Sequence, residues 1–400
     1  MFTTPALAAA HSQVRIRGNQ ADLQEGGRMA LSRLRRFSIA ALATLPFYTA
    51  AGAQPAPAPS STAASLVAGQ KAHLFGGQFD PNGLAAVPAE VKPEWAALIG
   101  EYGPDLASFY VLEDSGELRI LAGWFDLETL RPISADVFGL PANGPHGAQT
   151  VTFLRDAAHA VTGVRVGTLI YERRPFDGPG QIFQITPLKP VVKLREEALA
   201  ARPPVEKGTF REPDLVQLNQ LDPTIKLDIR YASSRNFLGA PLYLEPRAYM
   251  QRPAAEAVVR ASQRLHALGY GLLIHDSYRP WYVTKMFWEG TPLEKRIFVA
   301  NPEQGSRHNR GCAVDLTLYD LRTGEPMRMT GGYDEMSERS YPFYPGGTAR
   351  ERWHRDLLRR AMEAEGFTVY EEEWWHFDYK DWKQYPILNL TFEQLETSRP

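Results

Sequence analysis

The sequence predicts an α+β fold with an antiparallel sheet in its C-terminal half, preceded by a β-rich domain. Three observations predict it. Between 214 and 395, helical and strand patterns are mixed without a repeated βαβ unit. From 67 to 190, short apolar runs alternate at strand period with turn signals between them. A charged, proline-bearing stretch, 191–213, separates the two and reads as a short helix end followed by a linker.

Bulk composition agrees. The chain has 400 residues, 44% hydrophobic and 22% charged, which is globular and leaves room for two domains plus tails. A net charge of −2 makes no electrostatic case for nucleic acid. Cys312 is the single cysteine, so no internal disulfide and no cysteine-built zinc site can form. Any metal must be held by His, Asp or Glu.

In chain order, residues 1–28 are a polar preface or a start assigned too early. Met29 then opens a basic stretch, "ALSRLRR", followed by the apolar run "FSIAALATLPFYTAAGA" and the small-residue pattern Ala51-Gly52-Ala53. Residues 29–53 thus read as a cleavable export signal, with a periplasmic destination. The run is short for a membrane span and Pro46 interrupts it, so no stable span is expected. Residues 54–66 are a Pro/Ala-rich linker. In the β-rich stretch, Asp114-Ser115-Gly116 sits between two apolar runs and signals a hairpin. Further on, "TIKLDIRY" alternates as a strand, and "PAAEAVVRASQRLHALG" places Ala254, Ala257, Val258, Ala261, Leu265 and Leu268 on one helical stripe capped by Gly269. "GLLIHDSYRP" and "CAVDLTL" read as strands. "ARERWHRDLLRRAMEAEG" is a helix with Trp353, Leu357, Leu358 and Ala361 inward, and "EWWHFDY" is a last strand.

Three positions carry candidate chemistry. His308 precedes a strand, Asp315 lies inside it, and His376 lies in the aromatic final strand. A carboxylate in an apolar strand costs several kcal/mol to bury unless paired or metal-bound. Two His and one Asp would leave zinc an open position, the arrangement of a hydrolytic site. Taken singly, His308 reads as a loop histidine, Asp315 as a partner for Arg310, His376 as a packed ring and Arg279 as structural. Glu373 lies three residues before His376, an odd offset that puts the two on opposite faces of a regular strand. Both reach one water only if Glu373 lies in the preceding turn or at a bulge, where it would act as general base. Arg279, in "DSYRP", could stabilise an oxyanion.

"SRHNRGCAVDLTL", "DSYRP", "NFLG" and "EWWHF" together resemble the zinc D-alanyl-D-alanine dipeptidases, the VanX-like branch of peptidase M15, over roughly 214–390. The resemblance implies a hedgehog/DD-peptidase-like fold and one zinc ion per chain on His308, Asp315 and His376. It implies Glu373 as base and Arg279 as transition-state stabiliser. "MTGGYDEMSER" resembles the segment whose aspartate holds the substrate's free amine, which assigns Asp334. Asp276 matches an acid near the substrate, and Ser306 falls in the binding loop. The implied reaction is zinc-dependent hydrolysis of D-Ala-D-Ala, or a related small peptide, in cell-wall peptide turnover. A D,D-carboxypeptidase or endopeptidase on longer peptidoglycan peptides, and a non-catalytic zinc-containing binding protein, are the alternatives. Residues 67–190 lie outside the resemblance.

Overall fold

The computed structural model describes residues 86–104, 108–122, 126–174 and 182–397, which all fall in one compact unit, Pro55–Pro400. The expected signal, its preface, the 54–66 linker and the first part of the β-rich stretch lie outside the described residues. Among the described residues, no helix is long and apolar enough to cross a membrane.

Among the described residues, nine short strands between Gly100 and Glu172 form an antiparallel meander of two sheets, one of four strands and one of five. The segment from Asp126 to Ser134 belongs to both: its first half pairs with Glu117–Ala122 and its second with Val137–Gly139. At the far ends Tyr102 pairs with Arg173, so the strand order returns on itself as a small closed barrel. Ser115 and Gly116 both have positive φ, 55° and 79°, the geometry of a tight hairpin turn that matches strand twist. Phe109, Val111, Ile120, Phe138, Val151 and Phe153 fill the interior.

The stretch expected as a helix end and linker does begin with a helix, and it packs into the body. Val191–Ala200 is a helix whose Leu194 and Ala198 are fully buried in the larger, C-terminal core. Beyond it, Glu206 pairs with Arg310 at 2.5 Å and accepts the Ile387 N–H at 2.6 Å. Its charge and prolines give the stretch a linker's composition, but two inward side chains and the ion pairs of Glu206 with Arg310 and of Arg211 with Asp381 tie it to the body.

The C-terminal sheet has five strands in the order Lys226–Leu227, Tyr270–Asp276, Ala313–Asp320, Glu373–Tyr379, Phe367–Tyr370. Its first pair is parallel and the others antiparallel. "TIKLDIRY" pairs for only two residues, although Ile225, Ile229 and Tyr231 are buried at the expected alternation. The helices Arg252–His266 and Ala349–Glu363 bury their apolar stripes in the same core as Val314, Leu316 and Leu318. Burying each such side chain stabilises by about 1.5–3 kcal/mol. Leu268, expected on the first stripe, is exposed because the helix ends before it. The second helix starts on a capping box: Glu351 N–H donates to the Thr348 hydroxyl, and the Glu351 carboxylate accepts the Thr348 N–H.

Candidate metal and substrate site

Sheet register assembles most of the site. Val314 and Leu316 turn into the core, so by the period of two Asp315 takes the other face. There it pairs with His376 on one neighbouring strand and with Asp276 on the other. His308 arrives from a 3₁₀ turn, His308–Arg310. The Ser306 hydroxyl accepts the His308 N–H at 3.2 Å at the start of that turn. Gly311 ends it with φ 66°, where a Cβ would stand 2.4 Å from Leu215 Cδ2, so glycine is required by both conformation and space. Arg310 is engaged by Glu206, which removes it as Asp315's partner.

Three atoms converge: His308 Nε2, Asp315 Oδ1 and His376 Nδ1. They stand 3.3 Å (His308 to Asp315), 3.1 Å (His376 to Asp315) and 3.0 Å (His308 to His376) apart, all in buried residues. Each imidazole spends its other nitrogen outward. His308 Nδ1 donates to the Ser277 carbonyl at 2.6 Å, and His376 Nε2 donates to Asp378 Oδ1 at 2.9 Å. Neutral rings so oriented turn two lone pairs toward a carboxylate oxygen that itself has no hydrogen-bond partner. Three acceptors facing one point need a cation. A tetrahedral ion with ligands at about 2.0–2.1 Å holds them roughly 3.3 Å apart, so the spacing fits. Without an ion, a proton fills the gap. Burial opposes charge on His376, but Asp378 and Asp315 outweigh it and push its pKa up to about 10.

The parity problem of Glu373 is resolved by a bulge. Val369 pairs with Phe377 but Tyr370 pairs with Glu373, so extra residues are inserted in the last strand between them. The irregularity brings Glu373 Oε2 to 3.6 Å from His376 Nδ1, on the same side as the cluster. Burial first, then the charges of Asp315 and Asp334, push the Glu373 pKa up to about 8.

A cavity of about 270 Å³ opens over these groups, and Arg279, Ser306, Asp334 and Glu373 all line it. Asp334 has φ 59°, a left-handed conformation that aspartate tolerates better than most residues. Its Oδ1 accepts the Tyr231 hydroxyl at 2.9 Å, while its buried Oδ2 has no partner. Burial pushes its pKa up to about 8, aided by Asp315. The Arg279 guanidinium lies 4.4 Å over the Phe287 ring, with Nη2 3.6 Å from Asp315 Oδ2.

Asp276, expected near the substrate, is not among the residues that line the cavity but touches one that is. Its Oδ1 accepts the Tyr243 hydroxyl and its Oδ2 accepts Arg279, both at 2.8 Å. It is 1% exposed and holds the Arg279 guanidinium through both Nε and Nη2. Three further residues were missed. Tyr333 donates to Asp315 Oδ2 at 3.0 Å and leaves Oδ1 for the cluster. Tyr231 orients Asp334. Asp378 orients His376, and the His-x-Asp spacing on one strand could have signalled it, since an even offset shares a face.

Two histidines and a carboxylate round one point, with an acid beside them in a cleft, define a metal-dependent hydrolase centre. The chain belongs to the D-Ala-D-Ala dipeptidase family, peptidase M15, a family of metallo-dipeptidase enzymes; residues 211–395 match its family model. It is 33% identical over 175 residues to the D-alanyl-D-alanine dipeptidase of Escherichia coli K12, covering 44% of this chain and 89% of that protein. The corresponding proteins of Enterococcus faecalis V583 (36% identical; 42% of this chain, 92% of that one) and Enterococcus faecium (35%; 44% and 95%) are similar to the same extent. The family match begins beyond the barrel strands.

Proposed function

We propose that this protein hydrolyses free D-alanyl-D-alanine to two D-alanines at a zinc ion held by His308, Asp315 and His376. We place that reaction outside the cytoplasm, in cell-wall peptide turnover. One observation carries the reading: the convergent acceptor triangle and the unpartnered Asp334 oxygen belong to the walls of one small cavity. Relatives named D-alanyl-D-alanine dipeptidase support the substrate. The apolar segment 37–53 behind a basic stretch supports export.

A bound zinc ion would supply Lewis-acid polarisation of the scissile carbonyl and a water whose pKa is near 7. The chain's own residues do the rest. Asp334 Oδ2 binds the substrate's ammonium group, a charge-assisted contact that its present lack of a partner leaves open. The Ser306 hydroxyl, which accepts from His308, keeps its hydrogen to donate to the substrate's carboxylate. Glu373 takes a proton from the attacking water and returns it to the departing amine nitrogen as the C–N bond breaks. Arg279, braced by Asp276, stabilises the charge that develops on the carbonyl oxygen. A blocked amine would leave Asp334 buried without its partner, which selects for the free dipeptide.

The test is D-alanine release by the zinc-loaded protein from D-Ala-D-Ala and from N-acetyl-D-Ala-D-Ala, with Glu373→Gln as control. Cleavage of the free dipeptide alone, lost in the variant, supports the dipeptidase. Cleavage of the acetylated form moves the assignment to a D,D-carboxypeptidase. Bound zinc with no cleavage of either leaves a binding protein. A periplasmic product whose N-terminus is Gln54 supports export; an intact Met1 in the cytoplasm overturns it.

A further inference from the structure

The segment that carries Asp334 has little structure of its own. Between Thr330 and Thr348 the only helical element is one 3₁₀ turn, Glu338–Ser340. Side chains hold it instead. Glu335, 2% exposed, accepts the Gly332 N–H at 2.9 Å on one oxygen, and the Ser337 hydroxyl and Arg339 Nε on the other. These bonds clamp both ends of the Tyr333–Asp334 turn.

The clamp continues into the barrel. Arg339 Nη1 stands 3.4 Å from Glu101 Oε1, and the Tyr344 hydroxyl donates to the same oxygen at 2.8 Å. Glu101 lies in a barrel strand and is 5% exposed; Arg339 is 8% exposed. A buried carboxylate is unusual on the outer surface of a small barrel, and among the described residues its side-chain partners are Arg339 and Tyr344 from across the contact and Arg174. Two further contacts run alongside. The Tyr110 hydroxyl donates to Glu338 at 2.6 Å. Tyr110, Leu112 and Leu121, on the barrel's outside, enclose Tyr344 in a separate apolar cluster. The family match begins at residue 211, so every barrel residue in this contact lies outside it.

We propose that the barrel is a positioning element for the substrate pocket: Glu101, acting through Arg339 and Glu335, holds the turn that aims Asp334 at the amine. The amine-reading part of this proposal rests on the function proposed above; the holding of the turn does not. Glu101 and Arg339 are positioning residues and touch no substrate.

Two measurements on the full chain test it, using Glu101→Gln, which keeps shape and a hydrogen-bond acceptor but removes the charge. The first is hydrogen exchange over residues 329–340, read against the final strand 373–379. The expected result is exchange about tenfold faster in the variant over 329–340 only, as a locally loosened segment gives. Unchanged exchange there overturns the proposal whether or not the protein cleaves dipeptides. The second is steady-state kinetics. KM for the free dipeptide rises about tenfold with kcat nearly unchanged, and in an Asp334→Asn background Glu101→Gln adds nothing further. Equal effects in both backgrounds overturn the link to Asp334. If Glu101→Gln fails to fold, Tyr110→Phe, which removes the hydroxyl that bonds Glu338, carries the same two readouts with smaller shifts. A wild-type protein that cleaves no dipeptide, yet shows the exchange difference, refutes the proposed function and leaves the positioning role standing.

Discussion

His376 is held between two carboxylates, one on each ring nitrogen. Asp315 faces the cluster with His308 and Asp378 the outside, and the second fixes which nitrogen turns its lone pair inward. Replacing Asp378 with Asn keeps the acceptor and removes the charge. The expected result is a zinc affinity weaker by about 10-fold or more, read by competition with a chelator, with the fold intact. Arg279 gives a second prediction at this scale. It bonds Asp276 through Nε and Nη2 while remaining near Asp315, a two-sided geometry that an ammonium cannot reproduce. Arg279→Lys should lower kcat by about 10²–10³ and leave KM close to wild type. A rise confined to KM would instead assign Arg279 to ground-state binding.

At the scale of elements, the site depends on where regular structure stops. The bulge before His376, the left-handed Gly311 and the capped start of Ala349–Glu363 each end a regular pattern beside a functional group. Thr348 closes the segment that carries Asp334. Thr348→Ala should cost about 1 kcal/mol, measured as a shift of the denaturation midpoint with unchanged slope. Much of this scale was readable from residues. The strand carrying Asp315 was marked by apolar alternation, and its inward and outward faces followed from parity. Glu373 was readable only as a condition, since parity forbids it beside His376 and a bulge has no residue signature in "EEEWWHFDY". The motif "DSYRP" places Asp276 three residues before Arg279, and the structure adds the bonds by which it holds that arginine.

Across the whole molecule, the site stores unfavourable electrostatics that a cation relieves. Glu373 and Asp334 each have a folded pKa near 8, above the usual carboxylate value of about 4, because burial disfavours their charged forms. Their favourable contribution to stability is full below about pH 4 and is lost as pH rises toward 8. His376, raised to about 10 from its ordinary 6.5, contributes below 6.5 and loses that contribution as pH rises toward 10. All three act in one direction. The melting temperature of chelated protein should therefore fall between about pH 5 and 9, and saturating zinc should flatten the decline, since it displaces the His376 proton and balances the acids. A chelated protein that gains stability over that window would contradict this account of the site. The barrel enters at the same scale, because its outer face bears on the segment beside the cavity.

The sequence by itself determined the α+β class of the C-terminal body, the three candidate ligands, the acid before His376 and the family, because periodicity and short motifs are local and survive in one dimension. Only the tertiary structure decided which groups act together. It showed that Tyr333 and Asp378 orient the ligands, that Asp276 serves Arg279, that the supposed linker is part of the core, and that Glu101 bears on the Asp334 segment from more than two hundred residues away. The contacts of Glu101 with Arg339 and of Tyr333 with Asp315 join residues well separated in the chain through hydrogen bonds only a few ångströms long. No composition or spacing rule encodes those two; packing does, whereas Asp378 and Asp276 lie within three residues of the side chains they hold.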